Sequence, residues 1–205
     1  MISSRRQRGG KSLRRTAEKR PELRTIMVFC EGQNSEPDYI NGLKRLPHIA
    51  ENTALSIEIH PEQGVPLTLV KKAMAYKSDP EIDECWCLFD VEWPQNHPNL
   101  PQAIDLARSN GINLAISNPC FELWLILHYS NCSAFMDTNS ADSRSRSLDG
   151  RSGKRIDPEV YMPLRKKAAE HAKRLDARHA QNGTSFPHDN PSSGMYKFLR
   201  SLEGE

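Results

Sequence analysis

Between residues 24 and 129 the chain alternates two hydrophobic patterns. Short apolar runs predict strands: residues 24–30 around Ile26-Met27-Val28-Phe29-Cys30, the alternating Leu55-Ser56-Ile57-Glu58-Ile59-His60, residues 84–89, and Ile112-Asn113-Leu114-Ala115-Ile116. Segments between and after them predict helices over about 35–46, 68–77, 100–109 and 120–129. The run at 24–30 reads as buried, whereas strict alternation at 55–60 reads as a half-buried or edge strand. Local punctuation agrees with these limits. Ser35 reads as an N-cap with Pro37 in the first turn, Asn110-Gly111 as a C-cap, and Asn118 as able to cap the helix starting at Cys120. Strand and helix in strict succession predict an α/β fold, a mostly parallel sheet with helices on both faces.

The pattern stops at residue 133. Residues 133–157 are rich in Ser, Asp, Arg and Gly with almost no apolar positions, which predicts a mobile loop. Beyond it, residues 158–181 read as a charged helix with Tyr161, Leu164, Ala168, His171, Ala172 and Leu175 at helical spacing. Residues 192–202 read as a last helix with Met195, Phe198, Leu199 and Leu202 on one face. The expected organisation is a basic arm (1–23), an α/β domain (24–132), a flexible loop (133–157) and C-terminal helices packing on the same domain (158–205). A chain of 205 residues suits one substantial core.

The net charge of +2 conceals a polarity. Residues 1–24 carry nine basic side chains against two acids, Glu18 and Glu22, leaving 19 basic and 24 acidic residues in the remainder. An acidic body with a basic, glycine-containing arm reads as a disordered segment that touches an anionic partner, nucleic acid being the commonest. The alternative is a solubilising tail without a partner. Five cysteines without framework spacing, and no signal-peptide pattern, predict free thiols in a reducing cytoplasm. The most apolar stretch, Phe121 to Tyr129, is interrupted by Glu122 and too short to span a bilayer, so no membrane association is expected.

The candidate chemistry lies at two strand ends. The first apolar run leads into Glu31-Gly32 and the third into Asp90-Val91-Glu92. If those strands are parallel neighbours, the three acids converge on the crevice where open α/β sheets bind ligands. Three carboxylates that close repel one another unless a cation sits among them. A hard divalent ion such as Mg2+ or Mn2+, with phosphate as co-ligand, suits such a site. Asp90 and Glu92, two apart in an extended segment, would point to the same side. Gly32 would let the backbone turn tightly and a ligand approach.

Other residues carry two readings each. Glu36, in the first turn of its helix, either serves the helix dipole alone or also reaches the metal. Glu122 is either an N-terminal partner of its own helix or a second metal or water ligand. His128 reads as a hydrogen-bonded core histidine rather than a general base. Cys85-x-Cys87 lacks the spacing of a zinc knuckle and reads as core, as do Cys120 and Cys132. No Gly-x-x-x-x-Gly-Lys loop is present, so ATP hydrolysis by this chain is not expected.

Three strings carry a resemblance. They are Val28-Phe29-Cys30-Glu31-Gly32 with Ser35-Glu36-Pro37-x-Tyr39, then Trp86-Cys87-Leu88-Phe89-Asp90-x-Glu92, then Ala115-Ile116-Ser117-Asn118-Pro119-Cys120-Phe121-Glu122-Leu123-Trp124-Leu125-x-Leu127-His128. Together they resemble the RloB-like family, from about Arg24 to Asn190-Pro191-Ser192. Such proteins occur in prokaryotic restriction and phage-defence loci, often beside an ATPase, and resemble the Toprim fold of topoisomerases, primases and related nucleases. The resemblance implies a Toprim glutamate at Glu31 and an Asp-x-Asp-type metal motif at Asp90 and Glu92. Glutamate at position 92 departs from the usual aspartate, which bears on geometry and metal preference more than on metal binding.

The expectation is a magnesium-dependent Toprim-type nuclease acting in antiviral defence with an ATPase partner. Glu31, Asp90 and Glu92 would be catalytic, with Glu36 and Glu122 as further metal ligands. Arg165, Lys166, Lys167, Lys173 and Arg174 on the late helix are either backbone-binding cations or a solvated face. DNA and RNA, transfer RNA included, stay open as substrates, as does a homodimer. The competing reading is a non-catalytic interaction subunit docked on the ATPase. A third reading, phosphoryl or nucleotidyl transfer to a small molecule, uses the same metal site.

Overall fold

In the computed structural model, residues 23–59 and 65–204 are described, so the basic arm at 1–23 lies almost wholly outside the described residues. The chain runs through β1 (Arg24–Cys30), α1 (Ser35–Lys44), α2 (Pro47–Ala50), β2 (Thr53–Ile59), α3 (Pro66–Lys77) and β3 (Glu84–Asp90). It continues through α4 (Leu100–Ser109), β4 (Asn113–Asn118), α5 (Phe121–Tyr129), α6 (Thr138–Asp149), α7 (Pro158–Tyr161), a 3-10 turn at Met162–Leu164, α8 (Arg165–Gln181), β5 (Ser192–Ser193) and α9 (Met195–Glu203). The strands form one sheet in the order β2-β1-β3-β4-β5. The first four strands pair parallel, and the two-residue β5 pairs antiparallel with β4.

The central strands are apolar on both faces because both faces are covered. Ile26, Val28, Cys30, Trp86 and Leu88 point into one core, where α1, α5, α8 and α9 contribute Tyr39, Trp124, Ala172 and Phe198. Met27, Phe29, Cys85, Cys87 and Phe89 point into the other, closed by Leu69, Val70 and Ala73 of α3 and Leu100, Ala103 and Ala107 of α4. The five cysteines are free and buried. Helix α5 is hydrophobic almost all round because it lies within the first core, with Phe121 and Leu123 to His128 buried. His128 is a core residue: its Nδ1 lies 2.8 Å from the Trp124 carbonyl and its Nε2 3.0 Å from the Tyr39 hydroxyl. Among the described residues no helix is long and apolar enough to cross a membrane.

Five local readings need correction. Residues 158–181 are not one helix but α7, the 3-10 turn and α8, and the last helix begins at Met195, after the strand Ser192–Ser193. The segment 133–157, read as a loop, contains the 12-residue helix α6. Its buried face consists of Ala141 and Ser145, too small and polar to register as apolar periodicity. Its ends follow ordinary rules, with the Asp137 carboxylate accepting from Ser140 N at the start and Gly150 at φ 74° closing it. Ser35 is not the cap of α1 but its first residue, after Asn34. Asn118 does not cap α5, whose N-cap is Cys120; its amide instead donates to the Pro187 carbonyl at 3.0 Å and to Asp189 at 2.9 Å.

Candidate functional site

β1 and β3 are parallel neighbours, with Cys30 opposite Leu88, so Glu31 and Asp90 leave the sheet side by side. The Asp90 N–H donates to Glu31 Oε2 at 3.2 Å. Even-numbered residues of β3 face the core beneath α1 and α5, which turns the Asp90 side chain toward the N-termini of those helices. There Glu36 and Glu122 occupy the first turns, where the helix dipoles favour negative charge. Glu31, Glu36, Asp90, Glu92 and Glu122 all line one cleft of about 600 Å³, together with His97, Thr138, Asp142 and Lys154.

The five acids differ in their partners. Glu31 Oε1 lies 2.8 Å from His97 Nε2, an ion-pair distance, although the ring N–H is not aligned for a regular hydrogen bond. That carboxylate, more than any other influence, pushes the His97 pKa up. Glu122 Oε1 is reached by Ser35 Oγ at 3.5 Å, and the same hydroxyl donates to the Lys154 carbonyl at 2.9 Å. Glu36 is 7% exposed. Burial, reinforced by the Glu122 and Glu31 charges, pushes its pKa up to about 7, against the opposing pull of its own and the Gly32 N–H groups. Asp90, with only partial solvent access, is held well above the usual carboxylate range by burial first and then by Glu36, Glu122, Glu31 and Glu92.

Gly32 is where the loop after β1 passes closest to these carboxylates. A Cβ there would collide with the Glu36 carboxylate, so glycine lets Glu36 tuck against the backbone turn. Asp90 and Glu92 are not presented by an extended segment. Glu92 adopts φ 64°, in the left-handed region that a non-glycine residue seldom occupies. Its N–H donates to the Pro119 carbonyl at 2.8 Å, and its Oε2 accepts from Thr138 Oγ1 at 2.8 Å. The chain turns after Asp90, and Glu92 reaches the cleft from the rim on the side of α6.

His97 and Lys154 were not singled out in the sequence. The loop around His97 is rich in Pro, Asn and His and follows Asp90 directly, the one signal that could have pointed to it. Lys154 and Asp142 lie in the segment 133–157, which reads in sequence as a loop. The late-helix cations stay out of this cleft: Arg165 pairs with Glu203 at 2.8 Å, Arg174 with Glu170 at 3.8 Å, and Lys167 Nζ donates to the Tyr129 carbonyl at 3.0 Å.

Among the described residues no three His, Cys, Asp or Glu side chains are grouped as a ready metal site. Glu31 is turned to His97 and Glu92 to Thr138. The donor chemistry nonetheless fits a hard divalent ion: the acids are carboxylates, and the pKa values of Glu36 and Asp90 are raised by burial first and by their acidic neighbours after it. No curated protein and no solved structure matches the chain. The model of the family described as RloB-like protein matches residues 26–202, and the chain therefore belongs to the RloB-like family.

Proposed function

We propose that this chain is a divalent-metal-dependent nuclease of Toprim type that works beside an ATPase partner in antiviral defence. The observation that carries the reading is the convergence of five carboxylates from the β1–α1 loop, β3, α1, α5 and the β3–α4 loop on one cleft at the carboxyl ends of parallel strands, where α/β sheets place their ligands. Perturbed carboxylates gathered in a cleft are a recurrent mark of reactive sites.

Asp90 and Glu31 form the floor of the site, with Glu92 at its rim and Glu36 and Glu122 as the flanking acids. A bound Mg2+ or Mn2+ would supply charge neutralisation at the scissile phosphate and an acidified water. His97 orients Glu31, and Thr138 fixes Glu92, so both acids are held rather than free to sweep through solvent. Lys154, on the opposite lip beside Ser35, offers a cation to substrate phosphate. The basic residues of 1–24 add sequence-independent attraction to a nucleic-acid backbone.

The test is a cleavage screen with the purified chain and its ATPase against single- and double-stranded DNA and RNA, with Mg2+ or Mn2+. Wild type is expected to cut at least one of them, and Asp90→Asn and Glu31→Gln to cut none. One observation favours a second reading, a non-catalytic interaction subunit: Glu31 and Glu92 already have partners within the protein. That reading gains if no substrate is cut and both variants protect cells as well as wild type.

A further inference from the structure

Beside the carboxylate cleft lies an aromatic pair that the proposed reaction does not use. Phe135 is 58% exposed, the most exposed large hydrophobic side chain among the described residues. Its ring meets that of half-buried Trp93 edge to face, with centroids 5.4 Å apart and planes at 86°. The pair sits on the rim next to Glu92. Trp93 N donates to Thr138 Oγ1 at 3.0 Å, the hydroxyl that in turn donates to Glu92 Oε2, and Thr138 N donates to the Trp93 carbonyl at 3.2 Å.

The exposed ring is carried on a fixed backbone. The Asn190 side chain clamps the next residue, accepting from Met136 N at 3.2 Å and donating to the Met136 carbonyl at 2.9 Å. Two exposed arginines reach the same segment from different helices. Arg178 of α8 donates to the Ser133 carbonyl at 3.1 Å, and Arg144 of α6 donates to Ser130 Oγ at 3.2 Å and Cys132 Sγ at 3.3 Å. The ledge thus combines an exposed aromatic ring on a clamped backbone with two guanidinium groups held on residues 130–133 and a link through Trp93 and Thr138 to Glu92 of the carboxylate cleft.

We infer that Trp93 and Phe135 form a stacking ledge for an unpaired base, so that the nucleic acid entering this cleft is single-stranded. The inference rests on the nuclease reading for the chemistry next to the ledge, but not for binding to it. In a duplex the base faces are occupied by their stacked neighbours. Only an unpaired base offers a free face to an aromatic side chain while its phosphates meet arginine.

The experiment measures binding apart from cleavage. Fluorescence anisotropy of the full chain in EDTA is read with fluorescein-labelled oligothymidylate, oligouridylate and a mixed-sequence duplex of equal length. A single strand, of DNA or RNA, is expected to bind at least about tenfold tighter than the duplex. Phe135→Ala should lose about tenfold on that single strand, and Phe135→Trp should retain it. Equal binding of strand and duplex, or an alanine variant as tight as wild type, overturns the ledge. So does an alanine variant that changes only self-association or ATPase capture, because the ring is then a protein contact. If Phe135-dependent binding is found and no substrate is ever cut with Mg2+ or Mn2+, the nuclease reading falls and the ledge stands. If wild type cuts and Phe135→Ala cuts strands and duplexes with unaltered kcat/KM, the ledge falls and the nuclease reading stands.

Discussion

Replacing Glu36 by glutamine should make the protein more stable at alkaline pH and leave it nearly unchanged in acid. Glu36 is 7% exposed, and its pKa is raised from 4.5 to about 7, by burial first and by the Glu122 and Glu31 charges after it. In the unfolded chain the carboxyl ionises near 4.5, whereas in the folded chain it holds its proton until about pH 7. The folded state is therefore favoured at low pH, and this advantage is lost as pH rises from about 4.5 through 7. A displacement of that size corresponds to roughly 3 kcal/mol at pH 8 and to under ~1 kcal/mol at pH 5. Glutamine keeps the shape and an acceptor oxygen for the Gly32 N–H but cannot ionise.

Urea unfolding followed by tryptophan fluorescence, at pH 5 and pH 8 in EDTA, measures the difference. Glu36→Gln should gain about 2–3 kcal/mol at pH 8 and little at pH 5. Added Mg2+ should narrow the gap at pH 8, since an ion that binds only the folded wild type stabilises it by mass action. A variant destabilised equally at both pH values would show that Glu36 is a structural acid at ease in its place. The charge argument for the whole cleft would then fail.

Other outcomes follow from the same geometry. His128 is buried, chiefly for that reason its pKa is lowered to about 4, and the folded state needs it neutral. Stability present above pH 6.5 is then lost as pH falls toward 4, by about 2 kcal/mol at pH 5; urea titrations in the Glu36→Gln background, where the opposing carboxyl is gone, should show this fall. Glu92→Gly should leave the unfolding free energy within about 1 kcal/mol of wild type, because relief at φ 64° offsets the lost Thr138 bond, while abolishing any metal-dependent cleavage. Gly194→Ala places a Cβ 2.9 Å from the Ile116 backbone nitrogen and 3.1 Å from the Ala115 Cα, and should cost about 1–3 kcal/mol in the same assay. Gly32→Ala meets first the carboxylate end of the Glu36 side chain, so it should fold but shift the pH profile of stability.

The sheet was legible because β1 and β3 are buried on both faces and show it as apolar runs, and because parallel pairing requires the helices that separate the runs. What was hard to read has a common cause. Helix α6 buries Ala141 and Ser145 rather than large apolar residues, so its composition resembles a loop although its cap signals, Asp137 and Gly150, are present. Asn118 resembles a helix cap in sequence, yet its amide is drawn to Pro187 and Asp189, partners 69 and 71 residues away. Local pattern cannot rank a local bond against such a distant one.

The same distinction governs the cleft. Strand order places Glu31 beside Asp90, since Glu31 follows the last residue of β1 and Asp90 is the last residue of the neighbouring parallel β3, so this pair was readable from hydrophobic pattern. Glu92 was located by a rule for extended chain that does not hold there. The backbone turns at φ 64°, and the side chain is caught by Thr138, a residue of the segment read as a loop. His97 and Lys154 depend on loop paths that no periodicity encodes. The acids supplied by strand ends and helix N-termini thus form a floor fixed by the sheet. The groups that hold or answer them, His97, Thr138 and Lys154, come from the connections. If the proposed cleavage is found, a substitution at Asp90 should therefore abolish it on every substrate, whereas substitutions at His97, Thr138 or Lys154 should alter how the cleft is shaped and shift the preference among substrates.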